Sequence, residues 1–133
     1  MERQLRKYTD VFKALEDQTR LRIINLLINS AEPLCVVEIV ASIDTPQYKV
    51  SKHLAILKNS GLIDYTRDGT WIYYSTALAH EPQNILFTFL KEFLDDEIFA
   101  NDIKKLNERL GLRINGRCVH GYEYEDLRIG KQQ

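Results

Sequence analysis

The stretch VSKHLAILKNSGLI, residues 50–63, decides how the rest of this chain is interpreted. Val50, Leu54 and Leu57 recur at helical spacing, which predicts a helix with one apolar face. Lysines lie around its other side. Such a helix is either solvated on its polar side or holds that side against a negatively charged partner. Because scattered lysines are most often solvated, the segments around the helix must decide between the two.

The residues at both ends predict where this helix begins and stops. Thr45 can cap it and Pro46 can open it, because the first turn of a helix has no partner for the N–H that proline lacks. Gly61 predicts its end, in the manner of a glycine that follows the last helical turn. The helix is therefore expected to run from about residue 46 to about residue 60.

The period of the sequence changes directly after this helix. The segment LIDYTRDGTWIYYS, residues 62–75, alternates with a period of two and is rich in aromatic and β-branched residues. Asp68-Gly69 lies at its centre and is a strong signal for a short hairpin turn. We therefore predict a two-stranded hairpin here.

Helical periodicity also marks the segments on either side of these two elements. Upstream, it predicts three helices over residues 4–15, 16–30 and 33–43, with Asp17 as the N-cap of the second and Pro33 at the first position of the third. Downstream, residues 83–112 are predicted to form one long helix. The expected fold is therefore mainly α with a β-hairpin wing, the winged helix-turn-helix plan.

The long helix carries more apolar surface than one core-facing side requires. An isologous two-fold dimer is the commonest way to cover such a surface. We therefore expect dimerisation through the N-terminal and the long C-terminal helices, within a domain over residues 1–112 that is followed by a tail over residues 113–133. The expected interface residues are Leu5, Tyr8, Phe12, Leu86, Phe89, Leu90 and Phe93.

Composition sets limits on the function. The 133 residues are 44% hydrophobic and 28% charged, with a net charge of −1, an ordinary balance for a globular protein. No apolar run approaches the roughly 20 residues that span a bilayer, so no membrane partner is expected. Two cysteines that lie far apart in sequence form no disulfide framework, which favours a reducing cytoplasm. Residues 45–75 carry four basic and two acidic side chains, a mild local excess of +2.

Four motifs in this order resemble those of the ArsR/SmtB (arsenic-repressor-like) metalloregulators. They are FKALEDQTRLRIINLL at residues 12–27, LCVVEI at 34–39, VSKHLAILKNSGLI at 50–63 and DGTWIYYS at 68–75. The resemblance covers about residues 10 to 95. It implies a dimeric, cytoplasmic transcriptional repressor that binds a palindromic double-stranded DNA operator and leaves it when an inducer binds.

This resemblance gives the polar face of the helix at residues 46–60 a function. Its N-terminal half would enter the major groove, where glutamine can read adenine and lysine can reach guanine or phosphate. In the wing, Arg67 and Thr70 would contact the minor groove or a phosphate, whereas Trp71, Tyr73 and Tyr74 are expected to pack. The candidate DNA-binding residues are Gln47, Tyr48, Lys49, Ser51, Lys52, His53, Arg67 and Thr70.

Two cysteines are the candidate ligands of the inducer. Cys35 falls near the start of the third helix, where unpaired N–H groups and the helix dipole favour a thiolate. Arsenic and lead or cadmium sensors of the resembling family carry Cys-Val-Cys here, but this chain has Val37 in place of the second cysteine. Cys118, in the tail, is expected to replace it, with His120 as a further candidate ligand. Thiolates suit arsenite, the preferred inducer, and other thiophilic ions; no resident cofactor is expected.

Several alternatives to arsenite sensing stay open. Both cysteines can be small buried side chains without a function. The inducer can instead be an oxidant that forms a Cys35–Cys118 disulfide, a reactive sulfur species or zinc, or the regulator can have no inducer. Winged helices also bind proteins, so a pure interaction module is a further alternative. Catalysis is not expected, because the chain has no glycine-rich phosphate loop and His53, His80 and His120 are scattered.

Overall fold

The computed structural model describes residues 2–77 and 81–122 of the chain. His80 and residues 123–133 lie outside the described residues. Of the described helices, none is long and apolar enough to cross a membrane. The elements are α1 (Glu2–Leu15), α2 (Gln18–Asn29), β1 (Leu34–Cys35), α3 (Val36–Ile43), α4 (Gln47–Asn59), β2 (Ile63–Asp68), β3 (Trp71–Thr76), α5 (Glu81–Phe93) and α6 (Glu97–Leu110).

Helices α3 and α4 form the predicted helix-turn-helix. Val50, Leu54 and Leu57 of α4 are fully buried in the core, as the periodicity predicted. Asp44 ends α3 in the left-handed conformation, with φ of 50°. Gly61 follows α4 with φ of 84°, which confirms the glycine signal at the end of this helix. One side of α4 therefore belongs to the core and the other is left for contacts outside the chain.

The wing is a three-stranded antiparallel sheet with the strand order β1-β3-β2. Asp68 pairs with Trp71, so the hairpin loop is Gly69 and Thr70, one residue later than the centre expected from the Asp-Gly signal. Gly69 has φ of 64° and occupies the first loop position, as in type II′ turns. The short strand β1 was not predicted, because two residues carry no readable period.

Two helix starts differ from the prediction. Helix α3 begins at Val36 and not at Pro33, because Leu34 and Cys35 pair with Tyr74 and Tyr73 of β3 and are held extended. Cys35 is therefore the N-cap of α3 rather than part of its first turn. Helix α4 likewise begins one residue later than predicted, since Pro46 occupies its N-cap. The N-cap assigned to Asp17 is confirmed, because its carboxylate accepts the N–H of Arg20 at 3.0 Å.

The single long helix predicted over residues 83–112 is wrong. Helix α5 ends at Phe93, and Asp96 caps a separate helix α6 by accepting the N–H of Ile98. Helix α6 packs against α2 and α3. Arg22 of α2 donates two hydrogen bonds, of 2.9 and 2.8 Å, to the buried carboxylate of Asp102. The excess of apolar residues in this segment is therefore divided between two helices, α5 and α6, which do not share one continuous apolar face.

The exposed apolar side chains of α1 and α5 differ in part from the expected dimer interface. Leu90 is 5% exposed and the half-buried Leu86 packs against the core, so both side chains contact their own subunit, and their place in an interface stays a prediction. Ile85, which was not in the expected set, is 70% exposed. The exposed apolar residues of the two helices are Leu5, Tyr8, Phe12, Ile85, Phe89 and Phe93.

Candidate DNA-reading helix and cysteine site

Helix α4 turns a polar face to solvent. Gln47, Lys49 and Lys52 are exposed, and Tyr48 is 70% exposed. Ser51 and His53, the remaining two candidates on this helix, are partly buried. Within the described part of the chain, neither Lys49 nor Lys52 forms an ion pair. Among the described residues, the ammonium groups of these two lysines therefore have no carboxylate partner.

His53 is held by a contact from another helix. A guanidinium nitrogen of Arg20 lies 3.1 Å from Nδ1 of His53. Because a guanidinium can only donate, Nδ1 accepts this bond and the proton of the neutral ring is on Nε2. Arg20 also donates to the backbone carbonyl of Ala14 at 2.6 Å. The contact fixes the ring against the corner between α1 and α2.

Asp17 lies beside this pair. Burial raises the pKa of its carboxyl group, but hydrogen bonds from the backbone N–H groups of Arg20 and Thr19, together with nearby positive charge that includes the guanidinium of Arg20, outweigh that effect. The pKa of Asp17 therefore lies below its usual value. The carboxylate is charged at neutral pH and adds an acidic group near His53 of α4.

The wing presents the two side chains predicted for DNA contact. Arg67 and Thr70 are both exposed near the tip of the hairpin. Trp71 and Tyr73 are half-buried and pack against the second, smaller core cluster, while Tyr74 packs against the main core. Burial raises the pKa of Tyr74, as does its neighbour Tyr65. The three aromatic residues therefore pack within the chain.

The two cysteines meet across 83 residues of sequence. Cys35 and Cys118 are joined by a disulfide bond, with their Cα atoms 7.2 Å apart. Cys35 is 1% exposed and Cys118 is 6% exposed. Both sulfurs are therefore bonded and buried in this structure, and no thiolate is present at the N-terminus of α3.

A tight turn in the tail brings Cys118 into place. Ile114 and Arg117 exchange two backbone hydrogen bonds of 3.1 Å each. Between them Asn115 has φ of 54° and Gly116 has φ of 74°, as in type I′ turns. Asn-Gly is a strong sequence signal for this turn, and it was available in the sequence. The N–H of Cys118 then donates to the hydroxyl of Tyr73 at 3.0 Å.

Two charged residues that the sequence analysis missed surround the disulfide. The carboxylate of Glu38 is 2% exposed and accepts the backbone N–H of Cys35 at 2.9 Å. It also accepts two hydrogen bonds, each of 2.7 Å, from the guanidinium of Arg113. Hydrogen bonding to Glu38 raises the pKa of Arg113. No pattern in the sequence links these two residues, because they lie 75 positions apart.

The described residues bring together a different set of potential ligand atoms from the set predicted. Donor atoms of Cys35, Glu38 and Cys118 all lie within 4.8 Å of one another. His120, the further candidate, is not part of this group, and its backbone carbonyl accepts a hydrogen bond from Arg109 at 2.7 Å. After reduction of the disulfide, the site would offer two soft sulfur donors and one carboxylate that Arg113 already binds.

Comparison with known proteins identifies the family. The sequence model of the bacterial regulatory proteins of the arsR family matches residues 17–65. An uncharacterized HTH-type transcriptional regulator of Methanocaldococcus jannaschii, MJ1325, is 40% identical over 68 residues, which are 51% of this chain and 75% of that protein. The chain belongs to the arsR family.

Other relatives of this arsR-family chain have more specific names. The arsenic resistance transcriptional regulator ArsR2 of Pseudomonas putida is 46% identical over 65 residues, or 49% of this chain. The match spans about half of that relative, 56% of its length. The solution structure of Mb0332 from Mycobacterium bovis, described as a homodimeric winged helix-turn-helix DNA-binding domain, has a TM-score of 0.57 and 29% identity, covering 74% of this chain and 88% of that one.

The match places the arsR-family segment within the HTH part of the chain. Residues 17–65 include α2, α3 and α4, and with them Cys35. The second cysteine and Arg113 lie beyond residue 65, in the part of the chain that the family model does not match. The family match therefore includes α4 and Cys35, but neither Cys118 nor Arg113.

Proposed function

We propose that this protein is a non-catalytic transcriptional repressor of the ArsR type that binds a palindromic DNA operator as a homodimer. The observation that carries this proposal is the division of α4 into two faces. Val50, Leu54 and Leu57 anchor the helix in the core, while its N-terminal half exposes an amide, a phenol and two lysines. A helix-turn-helix places this part of its second helix against base edges.

Each exposed group on α4 suits one feature of DNA. The amide of Gln47 can form a bidentate contact with adenine, and Lys49 and Lys52 can reach guanine or phosphate. Ser51 and Tyr48 can add contacts to a base edge or to phosphate. Charge is concentrated on this local face and not over the whole chain, whose net charge is −1. We therefore expect strong salt dependence for the specific complex and modest affinity for each monomer.

His53 and the wing complete the proposed DNA surface. With Nδ1 of His53 occupied by Arg20, the Nε2–H group is the donor that remains for a phosphate oxygen. Arg67 and Thr70 extend from the hairpin toward the minor groove or the adjacent backbone. These contacts would orient α4 in the groove, whereas the contacts from α4 itself would read the sequence.

The exposed apolar residues of α1 and α5 support the dimer. Six large apolar side chains of these two helices are between 53% and 70% exposed, and Phe89 and Phe93 stack with ring centroids 4.9 Å apart. Large exposed apolar patches on proteins mark interaction sites. A second copy of the chain is the proposed occupant, in keeping with the homodimer named for Mb0332. Two-fold symmetry would give the two reading helices a palindromic target.

Cys35 and Cys118 are the proposed inducer site, with arsenite as the preferred inducer. Both residues adjoin α3, which directly precedes the reading helix, and Cys118 also contacts Tyr73 of the wing. Arsenite bound to the two thiolates would need a third ligand from water, a small thiol or His120. The name of the relative ArsR2 gives separate support for arsenic as the signal. An inducer releases DNA when it binds the DNA-free arrangement more tightly.

The disulfide favours a second candidate, in which the same cysteine pair senses an oxidant or a reactive sulfur species. The structure already joins the two sulfurs within one chain. In this version the signal is the change between the dithiol and the disulfide, and arsenite would act only on the reduced form. A regulator without an inducer is the remaining alternative.

Footprinting on the DNA upstream of the protein's own gene tests the proposal. The reduced wild-type protein is expected to protect two major-groove segments whose centres are roughly 34–36 Å apart, one for each reading helix. Gln47→Ala should weaken protection at the base that the amide contacts. As a matched control, Lys58→Ala lies on the same helix, but Lys58 pairs with Asp64 at 3.7 Å, and this variant should protect the same segments as wild type. A dimer that protects no segment of this DNA would contradict the proposal.

A further inference from the structure

We propose that Arg113 is the positioning residue of the cysteine pair. By binding Glu38, Arg113 holds the loop that carries Cys118 against α3, so that the two sulfurs stay together even when they are reduced. The inference deepens the proposed function, because it concerns the same pair of cysteines. It does not depend on DNA binding or on the identity of the inducer.

Arg113 binds the chain on both sides of Cys35. Its guanidinium donates to the carbonyl of Pro33 at 2.7 Å, two residues before the cysteine. It donates two further bonds of 2.7 Å to Glu38, three residues after it. The side chain of Arg113 is 7% exposed and that of Glu38 is 2% exposed. The two bonds to Glu38 are charge-assisted and bidentate and are shielded from water, which places them among the strong hydrogen bonds of proteins.

The same guanidinium also fixes the loop on the Cys118 side. It lies 5.5 Å from the ring of Tyr73, and it donates to the carbonyl of Gly116 at 3.3 Å. Tyr73 in turn accepts the N–H of Cys118 at 3.0 Å. Arg113 therefore contacts both the segment that holds one sulfur and the turn that presents the other.

None of these contacts requires the disulfide. They consist of ion pairs, hydrogen bonds and a cation–π contact, and the I′ turn at Asn115-Gly116 has its own backbone bonds. A tail attached only by a flexible linker gives an effective concentration on the order of millimolar. A tail held by Arg113 should give a much higher effective concentration, because contacts other than the disulfide already offset the conformational entropy that the loop loses when it is ordered.

The effective concentration can be measured through a balanced exchange with glutathione. The two thiols of Cys35 and Cys118 and one glutathione disulfide give one protein disulfide and two glutathione thiols. Two electrons and two protons pass from the protein to glutathione. The equilibrium constant of this reaction is the effective concentration of one cysteine at the other.

The test compares full-length variants in glutathione buffers. Arg113→Lys keeps the charge and loses the bidentate geometry, and Glu38→Gln keeps an acceptor for the N–H of Cys35 and loses the charge. Each should lower the equilibrium constant by about tenfold or more, within the usual range of coupling between two sites. As a control, Arg117→Lys lies in the same loop, but Arg117 pairs with Asp68 at the exposed surface, and this variant should stay within about twofold of wild type.

Hydrogen exchange on the reduced wild-type protein provides a second measurement that needs no variant. The amide of Cys118 should remain protected after reduction, because Tyr73 and the turn still hold it. Exchange of residues 113–118 at the rate of an unstructured chain would overturn the proposal, as would Arg113→Lys and Glu38→Gln constants within twofold of wild type. Neither the glutathione equilibrium nor the hydrogen-exchange measurement uses DNA. Failure of the repressor proposal would therefore leave both results unchanged.

Discussion

Arg20 and His53 are joined by a contact of 3.1 Å between a guanidinium nitrogen and Nδ1. This contact ties the proposed reading helix to the corner between α1 and α2, where Arg20 also binds the carbonyl of Ala14. Because α1 carries three of the exposed apolar side chains proposed for the dimer, Arg20 connects the proposed DNA surface with the neighbourhood of the proposed subunit interface.

Substitution of Arg20 by Ala should lower the free energy of unfolding by roughly 1–3 kcal/mol, because a partly buried carbonyl and a ring nitrogen lose their donor. Operator affinity should fall as well, since the His53 ring is no longer oriented. Arg6→Ala, on the exposed surface of α1, is the control and should change stability by less than about 0.5 kcal/mol. Urea unfolding of the three proteins checks the prediction, and equal midpoints would contradict it.

Lys49→Ala combined with Lys52→Ala should weaken operator binding and flatten its salt dependence. Each lost phosphate contact should reduce the slope of log affinity against log salt by about one unit. If one of the lysines reads guanine, its substitution should cost about 1–3 kcal/mol at one base pair of the site. Titrations at several salt concentrations separate these effects. A double variant that binds the operator as tightly as wild type would contradict the proposal that α4 reads the DNA.

Phe89→Glu should convert the dimer into a monomer. The ring is 53% exposed and stacks on Phe93, so a charge there would have to be buried in the proposed interface. Ile114→Glu is the matched control, because Ile114 is similarly exposed, at 56%, but lies in the Cys118 loop. Sedimentation at micromolar concentration should give a monomer for the first variant and a dimer for the second. A dimer for both variants, or a monomeric wild type, would contradict the proposed interface.

The stability contributed by Asp17 should depend on pH in one direction. Since the pKa of this carboxyl is lower in the folded chain, its charge stabilises the fold above the unfolded value and the contribution is lost as pH falls through the folded value. Asn caps helices about as well and does not titrate. The wild type should therefore exceed Asp17→Asn in stability at pH 7, and the difference should shrink below about pH 4. A difference that grows on acidification would have the wrong sign.

Local patterns in the sequence predicted most of the fold. The periodicity of Val50, Leu54 and Leu57 placed α4 correctly, and Gly61 marked its end. The long helix failed because an apolar stripe does not reveal that Asp96 caps a new helix facing other neighbours. The burial of Leu90 inside its own subunit could not be predicted either, because an apolar stripe does not show which neighbour each residue contacts.

The cysteine site was predicted only in part, because its other members come from distant parts of the chain. Cys35 and Cys118 could be paired on chemical grounds, and they are bonded in the structure. Glu38 and Arg113 are charged residues that sequence alone assigns to the surface, since only tertiary packing shows that each is the partner of the other. The Asn115-Gly116 pair is a local signal for the turn that presents Cys118, but it does not reveal which residues that turn meets.

The most direct test of the account is operator release by arsenite under reducing conditions. Arsenite is expected to release the wild-type protein from its operator, while Cys35→Ser and Cys118→Ser bind the same DNA and stay bound. Release of the wild type only by an oxidant, with formation of the Cys35–Cys118 disulfide, would replace arsenite sensing with redox sensing. Release of both serine variants by arsenite at the wild-type concentration would contradict the central claim that this cysteine pair is the inducer site.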